Sequence, residues 1–380
     1  MKIMIFNALY YPYRVGGAEI SVQLLAEELV RQGEKVCVVT LSENKIREER
    51  FINGVNVISL PIRNVYWPYS DQKKSSFKKL LWHVLDIYNI FMRREVINEI
   101  RNFAPDVVHT NNLSGFSVCV WNAVKKFNIK LVHTSRDYYL FHPNSTLFKN
   151  DKNMDTNCLE VAFWSYIKKS ISHRVDTYIG ISNFICELHK KNGFFANAKS
   201  GVIYNAVDTI KSEPYSHNKI RIGFLGRLTY EKGFDEYCRL AEKYKSNLDY
   251  EFIAAGRFLN NGTEKNLSSV ANSAGVIVKG YMKLEEFINA IDLVVLPIKW
   301  NEPFGRTVVE CALANKVVIT TKSGALPELS KIMDNIIISD NLLEGFEKGL
   351  SRIKEPVDSI NHADIFKSKY IAEQYRSYYK

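Results

Sequence analysis

Short apolar runs alternate with stretches whose apolar positions recur every three to four residues, and the alternation continues along the whole chain. In the first half, runs at 2–7, 35–40, 55–60, 106–110, 129–134 and 177–181 predict strands. After the first of them, Ile20, Leu24, Leu25, Glu28 and Leu29 fall at helical spacing until Gly33 stops the pattern. Strand–helix–strand order implies a parallel sheet covered on both faces. A second series begins after Asn205, with strands predicted at 219–225, 250–255, 275–279, 293–296 and 316–320. Helical stretches such as 234–244 and 284–290 fall between them. The repeat is one of architecture, without a sequence period. Polar residues and Pro214 interrupt the pattern near 207–218, which predicts the domain boundary there. The predicted units are an N-terminal domain at 1–205, a C-terminal domain at 206–361 and a last helix at 362–380. That helix carries Phe366, Tyr370, Tyr375, Tyr378 and Tyr379, and is expected to pack back on the first domain.

Length and composition agree with this division. A chain of 380 residues, 46% hydrophobic and 24% charged, can fill two cores without covalent staples. Six cysteines at 37, 119, 158, 186, 238 and 311 form no C-x-x-C or zinc-like spacing, so reduced thiols in a cytoplasmic protein are expected. Lys2 runs straight into an apolar strand pattern, unlike a secretory signal, and no uncharged stretch is long enough to span a bilayer. Contact with the inner face of the membrane would therefore come from the side.

Charge changes the picture further. Residues 1–205 hold 27 Lys+Arg against 18 Asp+Glu, while the remainder holds 24 against 23, so nearly all of the net +10 lies in the first half. Residues 72–101 concentrate it, with Trp82, Tyr88 and Phe91 interleaved. That stretch fits an ordinary packed amphipathic helix as well as a peripheral face on anionic lipid. The charge alone admits nucleic acid, but no zinc finger, RNP-type signature or helix-turn-helix pattern is present, and no nucleic-acid partner is expected.

Open parallel sheets bind ligands at the carboxyl ends of their strands. After the first strand, YYPYRVGGAE places Gly16-Gly17 just before a helix, where a backbone can approach a phosphate; alone, this pair also fits a plain turn. After the first strand of the second half, GFLGRLTYEKGFDE carries Gly226, Arg227 and Lys232. A guanidinium and an ammonium there can neutralise a diphosphate and stabilise it as it departs, although both also fit a solvated surface. After the strand at 293–296 comes NEPFGRTVVE. Glu302 and Glu310 flank Pro303, Phe304, Gly305, Arg306 and Thr307 at a helix opening; carboxylates there can accept paired sugar hydroxyls. Apolar Val308, Val309, Cys311 and Ala312 argue against a solvated Glu310. SGALPEL at 323–329 is read as structural. In the first half, His109 and Asn111 end one strand and Arg136-Asp137 another, where they could grip the sugar or the acceptor; His133, inside its strand, is expected in the core. No D-x-D pair occurs, so no metal and no other cofactor is expected, and cations with helix ends would do a metal's work.

Together these motifs resemble glycosyltransferase family 4. The E-x(7)-E spacing matches Glu302 to Glu310, G-R-x…K-G matches Gly226, Arg227, Lys232 and Gly233, and G-G-A-E matches Gly16 to Glu19. G-x-P-E matches 325–328, with Ala325 for the usual glycine; ISNF at 181–184 and YNAVD at 204–208 match less closely. The resemblance covers nearly the whole chain. It implies a GT-B fold, with two Rossmann-like domains facing across a cleft. The first domain would bind the acceptor, and the second a nucleotide-diphosphate sugar as co-substrate. It further implies that Arg227 and Lys232 hold the diphosphate, Glu310 the ribose, Glu302 with Phe304-Gly305 the donor sugar, and Gly17 the phosphate or the acceptor. His109 would lie near the sugar. The chain departs from the family at Asn111, where many members have a second histidine, and at Arg136, where many have His-Asp. The implied reaction is retaining, by a front-face route onto a glycan or lipid-linked acceptor in cell-surface polysaccharide synthesis. The alternatives are a GT-B-type epimerase and a catalytically silent binding subunit.

Overall fold

A computed structural model of the chain describes residues 1–13, 16–70, 72–208, 218–258, 265–355 and 359–380. It divides into two compact units, one of Met1–Leu147, Asp155–Ala206 and Ser368–Lys380, the other of Phe148–Met154 and Val207–Lys367. Most of the expected boundary segment, 209–217, lies outside the described residues.

The first unit holds strands β1 (Lys2–Phe6), β2 (Lys35–Ser42), β3 (Glu48–Ile52), β4 (Val55–Pro61), β5 (Val107–Thr110) and β6 (Lys130–Ser135). A hairpin, β7 (Phe148–Lys149) and β8 (Lys152–Asn153), follows in sequence but belongs to the second unit. Then come β9 (Thr177–Gly180) and β10 (Lys199–Val202). The sheet order is β10-β9-β6-β5-β1-β2-β4-β3, parallel except for β3 against β4. Every strand predicted in this half is present. Strands β3 and β10 had no sequence signal: EERFI is largely exposed at the sheet edge, and KSGV contains one aliphatic residue.

Helices α1 (Gly17–Arg31), α2 (Ser76–Ile87), α3 (Ile90–Phe103), α4 (Cys119–Lys125), α5 (Leu159–Ser172) and α6 (Asn183–Lys191) belong to this unit. The stretch at 72–101 is thus two helices. Asn89 separates them, its side chain accepting from Phe91 and Met92 N–H as the cap of α3. Leu25, Ala26 and Leu29 of α1 pack against Ile3 and Ile5 of β1 in a core.

The second unit holds β11 (Ile220–Leu225), β12 (Tyr250–Ala255), β13 (Ile277–Gly280), β14 (Leu293–Leu296), β15 (Val317–Thr320) and β16 (Ile336–Ile338). All run parallel in the order β13-β12-β11-β14-β15-β16. Its helices are α7 (Phe234–Lys243), α8 (Lys265–Ser273), α9 (Leu284–Asn289), α10 (Arg306–Leu313), α11 (Leu326–Ser330) and α12 (Leu342–Arg352).

The expected helix at 362–379 splits into a 3₁₀ segment, Ser359–Phe366, and α13 (Ser368–Tyr379). Only α13 belongs to the first unit, where Ile371, Ala372, Tyr375 and Tyr379 complete the core around α1 and β1.

Candidate functional site

In a doubly wound sheet the strand order reverses at one point, and ligands bind at the carboxyl ends of the strands there. In the second unit that point lies between β11 and β14. The sequence candidates follow these two strands.

After β11, Gly226 and Gly233 both have positive φ, 140° and 74°. Gly233 N–H donates to Tyr230 O and closes the turn into α7. A Cβ at Gly233 would overlap the Pro297 carbonyl, so this loop lies directly on the segment after β14. Lys299 and Trp300 N–H both donate to Glu231 O, at 3.0 and 3.2 Å. The two loops therefore form one body, and Lys232 reaches Glu302: Nζ lies 2.6 Å from Oε2. Trp300 Nε1 donates to the same oxygen at 3.0 Å, and the Lys232 ammonium stands 4.9 Å above the Trp300 ring. Glu302 is buried, and its charge is balanced by an ammonium and an indole N–H. Arg227 is more exposed and, among the described residues, makes a long contact of 3.6 Å to Glu231.

The Glu302 backbone is held from behind. Ala325 N–H donates to Glu302 O at 2.8 Å, and Ser323 Oγ donates to Trp300 O at 2.5 Å. Gly324, at φ 58°, lies so close that a Cβ would overlap the Glu302 backbone. The segment at 323–329, read as structural, does structural work for Glu302. The β7–β8 hairpin supports the same stretch from another side. Asn153 exchanges hydrogen bonds with Lys299 O and Asn301 N–H, and Lys299 Nζ pairs with Asp235 at 2.7 Å and Asp151 at 3.2 Å.

Gly305, at φ 89°, caps α10, and a Cβ there would stand 2.7 Å from Leu326 Cδ2. One turn into α10, Glu310 accepts from Arg306 Nε at 2.7 Å. Burial pushes the Glu310 carboxyl up and Arg306 opposes it. Among the candidates, then, Lys232 and Glu302 meet directly, Arg306 and Glu310 meet one helix turn away, and Arg227 lies on the loop opposite. Pro303 and Thr307 occupy the bend and first turn between the two pairs.

In the first unit the strand order reverses between β1 and β5. Gly16 N–H, after β1, donates to Glu19 Oε2 at 2.8 Å and opens α1 at Gly17; Arg14 and Val15 lie outside the described residues. Asn111, after β5, accepts from Arg136 Nε at 2.8 Å, and Arg136 also donates to Asn205. Asn111 Nδ2 is buried with no hydrogen-bond partner among the described residues. Asp137 accepts from Tyr139 N–H at 2.8 Å, and burial raises its carboxyl from 3.8 to about 6.

A carboxyl that binds its proton more readily in the fold than in the unfolded chain stabilises the fold most below its ordinary value. That contribution is lost as pH rises through the folded value. Between about pH 4 and pH 7, the wild type is therefore expected to lose on the order of 2 kcal/mol relative to Asp137→Asn. Urea unfolding of both proteins across that range measures the gap; a constant difference would contradict the assignment.

His109 is wholly buried beneath α13: Nε2 pairs with Thr134 Oγ1 and Nδ1 with Tyr379 Oη, each at 2.8 Å, with the Tyr375 ring alongside. Burial holds the imidazole well below its ordinary value. Both ring nitrogens are thus paired within the core of the first unit. His133 is buried as expected, against Trp121 and Phe195.

Sequence reasoning missed Trp300, Asn153 and, in the first unit, the buried Asp86 and Lys168. Lys168 Nζ donates to Tyr139 O at 2.7 Å, and Asp86 accepts from Gly115 N–H at 2.7 Å. Burial drives the Asp86 carboxyl up and the Lys168 ammonium down, each opposed by the other's charge. Trp300 had a usable signal, an aromatic two positions before a strand-end glutamate; the others had none. No group of three or more His, Cys, Asp or Glu among the described residues is placed to hold a metal ion.

Residues 15–211 match the model for Glycosyltransferase Family 4, and residues 208–355 that for Glycosyl transferases group 1. The chain is 44% identical over 382 residues to a 42.6 kDa protein in the cps region of Klebsiella pneumoniae, covering 100% of both chains. It is 24% identical to one of the subunits of human phosphatidylinositol N-acetylglucosaminyltransferase, covering 93% of this chain and 69% of that one. Among solved structures, sucrose-phosphate synthase from Thermosynechococcus elongatus superposes with a TM-score of 0.77 at 15% identity, covering 100% of this chain and 98% of that one. Anabaena Alr3699/HepE in complex with UDP and glucose gives 0.70 at 17%, covering 100% and 99%. The architecture is the GT-B fold, and the chain belongs to glycosyltransferase family 4, with a second half of the group 1 glycosyl transferases.

Proposed function

We propose that this glycosyltransferase moves a sugar, with retention of configuration and without a metal ion, from a nucleotide-diphosphate sugar to a glycan or lipid-linked acceptor in surface-polysaccharide assembly. The observation that carries the reading is the Lys232–Glu302–Trp300 cluster at the strand-order reversal of the second unit. Departure of a nucleoside diphosphate adds negative charge to its oxygens. Lys232, Arg227 and the N-terminal end of α7 or α10 can stabilise that charge where it develops. Glu302 then holds hydroxyls of the donor sugar, and Glu310, braced by Arg306, those of the ribose. The departing phosphate takes the acceptor's proton in a front-face step. Gly17, Asn111, Arg136 and Asp137 of the first unit contact the acceptor. The setting in polysaccharide synthesis is supported by the Klebsiella relative in the cps region, and the donor class by the UDP complex of the Anabaena protein.

A thermal-shift screen of UDP-, ADP- and GDP-sugars, each with EDTA, tests this. One donor at a hundred times its Kd should stabilise the protein by about 2.7 kcal/mol. Turnover of that donor should then need an acceptor, whereas an epimerase would convert it alone. Failure of every donor, or loss of the shift with EDTA, would refute the corresponding part.

A further inference from the structure

Helix α5 is inside out. The side it turns to the protein carries Val161, Ser165, Lys168 and Ser172, whereas the side it turns to solvent carries Leu159, Phe163, Tyr166 and Ile167, exposed by 89, 62, 71 and 41%. Amphipathic helices of soluble proteins bury the apolar stripe. Here a lysine and two serines are buried in its place.

Helix α2 repeats the anomaly. It buries Trp82, Asp86 and Ile87, yet Phe77, Leu80, Leu81 and Val84 also form one stripe at helical spacing, and all four are exposed. The two helices lie together through His83 and Trp164, whose rings are 6.2 Å apart. On a helical wheel each of these two residues falls between its helix's buried and exposed sides, so the outward stripes run side by side. Ile90 and Phe91, at the start of α3, are exposed as well. Eight large apolar side chains on two neighbouring helices are more than a soluble surface leaves open without use.

The charge around them indicates the occupant. From 73 to 94 the chain has Lys73, Lys74, Lys78, Lys79, Arg93 and Arg94; of the acids on and beside these helices, Asp86 is buried, Glu95 pairs with Arg63 and Glu160 of α5 lies 3.2 Å from His142. A second copy meeting this face about a two-fold axis would set like charge against like. An anionic lipid surface answers both features: its headgroups attract the lysines and its acyl boundary takes the phenylalanines and leucines. No helix among the described residues is long and apolar enough to cross a membrane, so the contact is peripheral.

We propose that the exposed faces of α2 and α5 form a docking surface for an anionic membrane, with Phe77, Leu80, Leu81, Phe163 and Tyr166 entering the interface and Lys78 and Lys79 meeting the headgroups. This goes beyond the donor-site reading and stands independently of it.

Flotation of the full-length protein tests it, with vesicles of equal parts phosphatidylglycerol and phosphatidylcholine against phosphatidylcholine alone. The wild type should float with the anionic vesicles at low salt and not with the neutral ones. Leu159→Ser/Phe163→Ser/Tyr166→Ser should weaken partitioning more than about tenfold, as should Lys78→Glu/Lys79→Glu. Both variants should keep the wild-type unfolding temperature, because every altered side chain faces solvent. Absence of flotation at low salt overturns the proposal, as do folded variants that float like the wild type. It is also overturned if sedimentation finds a dimer that the serine variant dissolves while vesicles bind neither protein; the face is then a contact between copies.

Discussion

Lys232→Ala is expected to lower kcat/KM for sugar transfer by about 10²–10³-fold, because it removes a half-buried cation proposed to face the departing diphosphate. The same change leaves the Glu302 carboxylate with Trp300 Nε1 alone among its present polar partners. A buried carboxylate stripped of its ammonium costs about 2 kcal/mol or more, so the protein should also become less stable. The two effects separate in Lys232→Met/Glu302→Gln. That double variant has no charge to strand and should recover most of the lost stability, while transfer stays as low as in Lys232→Ala or lower. Steady-state kinetics and urea unfolding on the three proteins decide the matter. Recovery of activity along with stability would make the pair a structural brace only.

Gly324→Ala should be nearly as damaging, although residue 324 contributes no side chain. Its φ of 58° is in the left-handed region, and a Cβ would overlap the Glu302 backbone. The alanine must push away either its own loop or Glu302, and the β7–β8 hairpin and Ser323 leave that segment little freedom. A loss of at least about 3 kcal/mol in stability is expected, with most transfer activity lost even where the protein stays folded. Gly280→Ala is the control. Gly280 has a similar φ, 69°, but no atom within 4 Å of its would-be Cβ, so it should cost only about 1 kcal/mol. Equal effects at the two positions would mean that backbone strain, not displacement of Glu302, is responsible.

What could be read in the sequence follows physical lines. Buried parallel strands such as VVHT and LVVL are continuous apolar runs, and they are where expected. Strands β3 and β10 lie at sheet edges, where burial no longer dictates apolar residues, and the three isoleucines of β16 are too few to distinguish from any short apolar run. The β7–β8 hairpin could not be assigned to the second unit, because its contacts with Lys299 and Asn301 lie nearly 150 residues away in sequence. The donor-site candidates were legible because the Gly-punctuated loops leaving β11 and β14 are local features beside an unmistakable strand. The burial of His109 was not legible for the opposite reason: its partner Tyr379 is 270 residues distant, and nothing near it in sequence marks it as covered. Helix α5 shows a related limit. Its apolar stripe is plain in the sequence, but periodicity does not say which side faces the core.

If Arg227 and Lys232 on the loop after β11 hold the donor's diphosphate while Glu302 and Glu310 hold the sugars on either side, donor affinity must depend on both cations. Isothermal titration of the donor found in the screen, into wild type and into Arg227→Ala/Lys232→Ala, tests it most directly. The double variant, still folded, should bind the donor at least about a hundredfold more weakly. Equal affinity in the two proteins would contradict it.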